Sequence, residues 1–433
     1  MSDATMDKLV SLAKRRGFIY QGSEIYGGLA GMWDYGPLGV ELKNNVKQLW
    51  WRMFVQERDD MYGIDAAILM HPEVWRASGH VEGFSDPLVE CEKCKRRLRA
   101  DQVGDACPEC GGNFGEVRQF NMMFETRIGA TEGSVSYLRP ETAGGIFVNF
   151  KNIVDSFHPK LPFGIAQIGK AFRNEIAPRD FIFRSREFEQ MEIEYFISPG
   201  EWNGAFEAWR NAVHSLNQAV GIPREAVHEF EVPEKDRAHY SMRTVDFEFD
   251  FPFGRKELCG LAYRTDFDLG AHERASGATL RLSEAEGGNP IVPHVIEPSF
   301  GVDRIVLAVL ASAYREDELG GEARMYLKFD RAVAPVKAAV FPLLKNKPEL
   351  TERARDIYTA LKKEVPQITW DDNGNIGKRY RRQDEIGTPH CITVDFDTLG
   401  EKPELKDTVT LRDRDTGKQE RVSVSELVGR VRA

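Results

Sequence analysis

At 433 residues, 42% hydrophobic and 29% charged, the chain has room for two or three domains and a substantial core. No apolar run approaches the roughly 20 residues of a membrane span, and the polar opening MSDATMDKLVSLAKRRGF has no apolar signal core, which predicts a cytoplasmic protein without a membrane partner. The net charge of −10 excludes nucleic-acid binding by bulk attraction: from Pro335 onward 19 Lys and Arg face 17 Asp and Glu, and before it 39 face 51, so local patches must hold any nucleic acid.

The first predicted element is a short amphipathic helix over 6–16. A glycine-rich segment then leads into a long helix on which Leu42, Val46, Leu49, Trp50, Met53 and Phe54 recur at helical spacing. In HPEVWRASGHVEGF, His71, Trp75 and His80 read as structural, because isolated histidines beside apolar residues are more often core than ligand. Four of the six cysteines follow as two C-x-x-C pairs, Cys91 with Cys94 and Cys107 with Cys110, separated by 12 residues and followed by glycines. Two such knuckles complete a closed tetrahedral site, so a bound zinc ion is expected to be structural, in a reducing compartment.

Residues 164–196 read as two antiparallel strands joined by a loop. Ala166, Ile168 and Phe172 share one face and Gln167, Arg173 and Glu175 the other; Met191, Ile193 and Tyr195 lie opposite Phe188, Gln190 and Glu192. An arginine, carboxylates and an aromatic ring on one open face suit a nucleotide, with the loop Ala177–Phe183 and the nearby Pro178, Arg179 and Arg184 placed to close over its phosphates. From Pro199 to about Glu234 a helical stretch covers the sheet, and VDFEFDFPFGRKELCGLAYRTDFDL supplies alternating strands, with Cys259 packed as a small hydrophobe. IVPHVIEPSFGVDRIVLAVLASAY is a strand, a turn and a helix apolar nearly all round; Arg304 sits in its first turn, where anions are favoured, and Glu297 and Ser299 share parity at the strand end. After Ala334 and Pro335 the composition shifts to a separate α/β domain with a mixed sheet, in which Lys378, Arg379, Arg381 and Arg382 surround Tyr380.

FRNE, a loop and RSREFEQME together resemble motif 2 of the class II aminoacyl-tRNA synthetases in their glycyl form. DYGPLGVELKNN is similar to motif 1, which builds the homodimer interface, and EPSFGVDRIVLAVL to motif 3. GNIGKRYRRQDEIGTPHCITVDF resembles the anticodon-binding domain of these enzymes. The resemblance implies an α+β fold: a six- to seven-stranded antiparallel sheet flanked by helices in a catalytic domain over 1–334, a zinc-binding insertion at 82–125, and an anticodon-binding domain over 335–433. It implies activation of glycine with ATP and transfer of the glycyl group to tRNA(Gly). Rival expectations are a class II synthetase for another amino acid and a catalytically inactive, synthetase-like nucleic-acid-binding subunit.

The same resemblance implies site residues. Arg173, Glu175 and Arg304 carry catalysis, Arg173 at the α-phosphate and Arg304 at the γ-phosphate, and Phe188 stacks on adenine. Asn174, Phe183, Arg184, Ser185, Arg186, Glu187, Leu258, Gly301, Val302 and Asp303 complete the ATP site, with Glu257 serving Mg²⁺ beside the phosphates. Glycine falls to Arg99, Glu141, Phe188, Glu189, Gln190, Met191, Glu192, Glu297, Pro298, Ser299, Phe300 and Gly301, and tRNA to Lys378, Arg379, Tyr380, Arg381 and Arg382. Gly144 stands where the family usually carries glutamine.

Overall fold

The computed structural model describes residues 5–129, 133–283 and 289–432. Its main sheet has seven strands: β1 (Met61–Ile64), β2 (Phe163–Phe172), β3 (Glu187–Ile197), β4 (Val227–Glu231), β5 (Arg243–Phe251), β6 (Gly254–Thr265) and β7 (His294–Gly301), in the order β4-β5-β6-β7-β3-β2-β1. All neighbours are antiparallel except the edge strand β1, which runs parallel to β2. The strand β4 corrects the expected helix to about Glu234: helix ends at Ala219, and VHEFE, with His228, Glu229 and Glu231 among its five residues, pairs with β5 at the sheet edge.

Parity decides what covers each face. Ala166, Met191, Ile193, Tyr195, Leu261 and Phe300 point to one side, into a core shared with the helices α1 (Pro37–Trp51), α3 (Trp202–Ala219) and α5 (Val302–Ala313). Helix α1 continues as a π-helical turn, Arg52–Gln56, which seats Phe54 in a stack on Phe300 of the central strand, with ring centroids 5.9 Å apart. The opposite side is graded along its length. Phe163, Ile165, Phe196 and Val295 make one end apolar, and α2 (Ala143–Phe157) with Leu269 of α4 (Phe267–Ser276) covers that end. Further along the same side come Gln167, Glu194, Glu192 and Gln190, which an apolar helix cannot cover without cost. That half of the face stays open.

The C-terminal domain has its own core and a five-stranded mixed sheet, in which Ala338–Pro342 lies parallel to both Ile368–Trp370 and His390–Val394 while the remaining pairs are antiparallel. Helix α6 (Pro348–Glu364) packs on it, and α7 (Ile376–Glu385), capped by Asn375, faces the hairpin of Tyr314–Leu319 and Glu322–Leu327 that follows α5. The seam between the domains is ionic: Asp384, fully buried, accepts from Arg412 at 2.7 and 2.9 Å and from Arg324 at 3.2 Å. Among the described residues no helix is long and apolar enough to cross a membrane.

Candidate active site and metal centre

The open half of the sheet forms the floor of a cavity of about 600 Å³. Its two ends differ chemically. At one end Arg173, just beyond β2, donates from Nε to the Pro140 carbonyl at 3.0 Å and lies between the rings of Phe84 and Phe188, at 5.4 and 5.2 Å. The buried Glu175 accepts from Arg184 at 2.8 Å. Arg304, from the first turn of α5, meets Glu257 at 2.9 Å and lies 4.6 Å from the Phe183 ring. The Arg304 charge holds Glu257 below the usual carboxylate range. Asp246 on the neighbouring strand is pushed up to about 7 by burial and by the charges of Glu257 and Glu248. Guanidinium groups around a carboxylate pair make this end fit for a polyphosphate with a divalent cation.

The other end is dominated by carboxylates. Glu192 accepts from the Thr142 amide at 3.0 Å, the Thr142 hydroxyl, Ser299 Oγ at 2.8 Å and Gln190 Nε2 at 3.0 Å. Glu297 accepts from Arg264 at 2.7 Å, and burial nevertheless pushes it up to about 8. Arg264 is itself clamped by Asp268 through two bonds of 2.8 Å and lies under the Tyr240 ring at 3.8 Å. Burial opposes the charge of Glu141, but His80 at 3.3 Å, with Arg264 and Arg173 beyond it, outweighs burial and holds that carboxyl at about 2. Glu194, fully buried beside them, has no hydrogen-bond partner for either oxygen among the described residues, and burial drives its pKa well above the ordinary value. Acidic groups outnumber buried cations here, as a ligand bearing an ammonium group requires.

Comparison with known proteins decides the family. Residues 126–313 match the tRNA synthetase class II core domain (G, H, P, S and T), and residues 337–433 match the anticodon binding domain. The chain is 50% identical to the glycine–tRNA ligase of Caldanaerobacter subterraneus subsp. tengcongensis over 98% of its length and 97% of that protein's. It is 51% identical to that of Clostridium kluyveri, with the same coverage. The chain belongs to the glycine–tRNA ligase family. The fold is shared more widely: prolyl-tRNA synthetases of Giardia lamblia, solved with prolyl-adenylate, and Cryptosporidium parvum, solved with L-proline and AMP, superpose with TM-scores of 0.69 and 0.68 at 14% and 15% identity. These cover 98% and 99% of this chain and 77% and 75% of theirs.

Within this glycine–tRNA ligase fold, Glu141, Arg173, Glu175, Phe183, Arg184, Ser185, Phe188, Gln190, Glu192, Glu257, Leu258, Glu297, Ser299, Gly301, Asp303 and Arg304 all line the cavity. Other expected residues do not, and strand alternation explains most of them. Glu189 turns to the opposite face, where Lys43 and Lys47 each hold it at 3.0 Å; Met191, Phe300 and Val302 join the core, and Pro298 shares the parity of Phe300. Glu187 pairs with Lys170 at 2.7 Å. The Asn174 backbone N–H donates to the Met122 carbonyl, and Arg186 donates to the carbonyls of Glu175 and Ala30. Arg99 is engaged by Asp86 and Asp101 instead of facing the cavity. Asp303 touches the cavity yet faces α1: it accepts from Tyr35 at 2.5 Å, Lys43 at 3.1 Å and the Glu189 amide at 2.7 Å.

The proposed tRNA cluster is also largely engaged. Arg379 is buried and donates to the carbonyls of Pro342, Asp372 and Gly374; Arg382 pairs with Asp371 at 2.7 Å, and Arg381 with Glu322 at 2.9 Å. Tyr380 bonds Thr393 at 2.7 Å, which leaves Lys378 as the exposed cation of the five. Helical periodicity explains this: five consecutive helix residues cannot share one solvent face, so part of KRYRR must turn inward.

The four cysteines meet. Their sulfurs all lie within 4.8 Å of one another, with Cys91 to Cys110 at 3.5 Å and Cys94 to Cys107 at 3.7 Å. A tetrahedron with zinc–sulfur bonds of ~2.3 Å has edges of about 3.8 Å, so the donor set fits zinc. Each knuckle closes the same way, Lys95 N to Cys91 O at 2.9 Å and Gly111 N to Cys107 O at 2.8 Å, with both donors in left-handed backbone. Gly112 follows because a Cβ there would lie 3.1 Å from the Cys91 sulfur and 2.7 Å from Lys93 Cβ. Cys107→Ser with Cys110→Ser should release about one zinc per chain by metal analysis and loosen the three-stranded sheet of residues 85–121. Wild-type protein purified without chelator and free of zinc contradicts the site.

Proposed function

We propose that the chain activates glycine with ATP to glycyl-adenylate and then transfers the glycyl group to the 3′ end of tRNA(Gly). The observation that carries this is the two-ended cavity: an arginine-flanked end for the triphosphate and, next to it, a buried carboxylate cluster for an ammonium group. In the first step a glycine carboxylate oxygen attacks the α-phosphorus and pyrophosphate leaves. Arg173, preset between two rings, faces the charge that builds on the α-phosphate, and Arg304 holds the departing end. In the second step a hydroxyl of the terminal ribose attacks the glycyl carbonyl and AMP leaves. Positioning and charge stabilisation suffice, with no covalent enzyme intermediate. Glycine has no side chain to grip, so Glu141, Glu192 and Glu297 hold its ammonium group and crowding excludes larger residues.

Bound Mg²⁺ would sit by Glu257 and neutralise phosphate charge, and zinc would brace the insertion. A cytoplasmic homodimer is the form the reading favours: large apolar side chains are exposed on and before α1, including Ile25 at 89%, Tyr26 at 87% and Val40 at 40%. Sedimentation equilibrium should give twice the chain mass. The function itself is tested by charging purified tRNA(Gly) with labelled glycine: glycyl-tRNA and AMP should form in equal amounts, and failure to charge any tRNA with glycine contradicts the proposal.

Glu194 gives a sharper prediction. Burial favours the neutral form of Glu194, which has no hydrogen-bond partner among the described residues, so Glu194→Gln should keep glycine-dependent activity within about threefold, because a neutral side chain of the same shape replaces it. Loss of activity comparable to that of Glu192→Gln would show that Glu194 works as an anion.

A further inference from the structure

The segment around Trp75 and His80 abuts the carboxylate end of the cavity. His80 is nearly buried, its side chain 11% exposed, and its two ring nitrogens have different partners. Nδ1 lies 2.8 Å from Ser78 Oγ and Nε2 lies 3.3 Å from Glu141. The nitrogen facing Glu141 is Nε2, which donates to the carboxylate whenever it carries a proton, while Nδ1 meets a Ser78 hydroxyl that also reaches the Trp75 carbonyl at 3.4 Å. The ring is held by Trp75 and Phe84, with centroids 5.5 and 5.4 Å away. Phe84 in turn touches the Arg173 guanidinium.

Trp75 is fully buried and packs on the first turn of α2 at Gly144. A Cβ at that position would lie 2.8 and 2.9 Å from two carbons of the indole ring. The residue before this turn, Thr142, gives its amide and hydroxyl to Glu192. One wall therefore sets two of the carboxylates, Glu141 through His80 and Glu192 through Thr142.

Resting on the glycine-activation reading above, we propose that His80 is a positioning residue of the amino-acid pocket, which orients Glu141 toward the substrate ammonium group, and that Trp75 against Gly144 holds His80 in place. The charged groups facing this pair are Arg173 beyond Phe84, Arg264, Glu192 and Glu297 across the cavity, and His272 on α4. Only His80 is within hydrogen-bond reach of Glu141 among the described side chains.

The test measures KM for glycine and for ATP separately in ATP–pyrophosphate exchange, on the full chain, together with melting temperature. His80→Ala should raise the glycine KM about tenfold through loss of a hydrogen bond to a charged group, and leave the ATP KM unchanged. His80→Gln, whose amide reaches the Nε2 position, should recover most of that loss, whereas the shorter His80→Asn should not. Gly144→Ala, which displaces Trp75, should raise the glycine KM in the same direction. The inference is overturned by a wild-type glycine KM in folded His80→Ala, or by a glutamine variant as impaired as the alanine one with both KM values and the melting temperature shifted together. If His80→Ala does not fold, His80→Gln and Gly144→Ala decide between the same outcomes. Absence of glycine-dependent exchange in the wild type would instead refute the reading on which the inference rests.

Discussion

Arg173→Ala should lower glycine-dependent ATP–pyrophosphate exchange by about 10²–10³-fold, the usual loss when a preorganised charge-stabilising donor is removed. The Pro140 carbonyl engages only Nε, and the rings of Phe84 and Phe188 hold the guanidinium plane, so its terminal nitrogens stay directed at a ligand. Lysine should fail too, since an ammonium group neither fills the slot between two rings nor offers a planar fork. The melting temperature should barely move, which separates this loss from misfolding. Arg304→Ala should lose at least about tenfold, because a single charge-assisted contact is at stake and Arg304 already has Glu257. Near-normal exchange by a folded Arg173→Ala chain contradicts the placement of the phosphates.

The second large effect lies in the domain seam. Asp384→Ala leaves Arg412 buried without its carboxylate and Arg324 with Asp317 alone, an expected cost of about 3–5 kcal/mol. Urea denaturation should show it as an earlier transition of the C-terminal domain. Because the cavity lies on the other domain, exchange should persist in the folded variant while tRNA charging falls. A chain cut near Ala334 is the extreme case: it should retain exchange and lose roughly 10²–10⁴ in tRNA avidity if both contacts normally engage. Since the cut also removes Asp384 from Arg324, and the Arg414 carbonyl with it, its folding must be shown by the same denaturation measurement. A shortened, folded chain that charges tRNA as well as the full one contradicts a role for the tail in tRNA binding.

Strand alternation made much of this site legible in the sequence. Period two placed Phe188, Gln190 and Glu192 on one face and Met191, Ile193 and Tyr195 on the other, and the structure follows it. Neighbouring motif positions do not share a face: Glu189, Met191, Pro298 and Phe300 lie within the motifs but point through the sheet. The cysteine spacing predicted the four-sulfur cluster because local knuckle geometry depends on few distant residues. What could not be read were contacts made between distant segments. His80 reaches Glu141 across 61 positions, and Asp384 collects arginines from two sides of a domain boundary. Arg264 and Asp268 carried a local signal, opposite charges four residues apart, but nothing local announced that Glu297 would complete the set.

The most direct measurement is ATP–pyrophosphate exchange with no tRNA present, run across a panel of amino acids. Glycine alone should support exchange at low concentration, with alanine and serine far weaker because any Cβ must enter a space shaped around an ammonium and a carboxylate. Exchange supported equally by alanine, serine or proline, or by none of the panel, would contradict the claim that the buried carboxylate cluster is a glycine pocket.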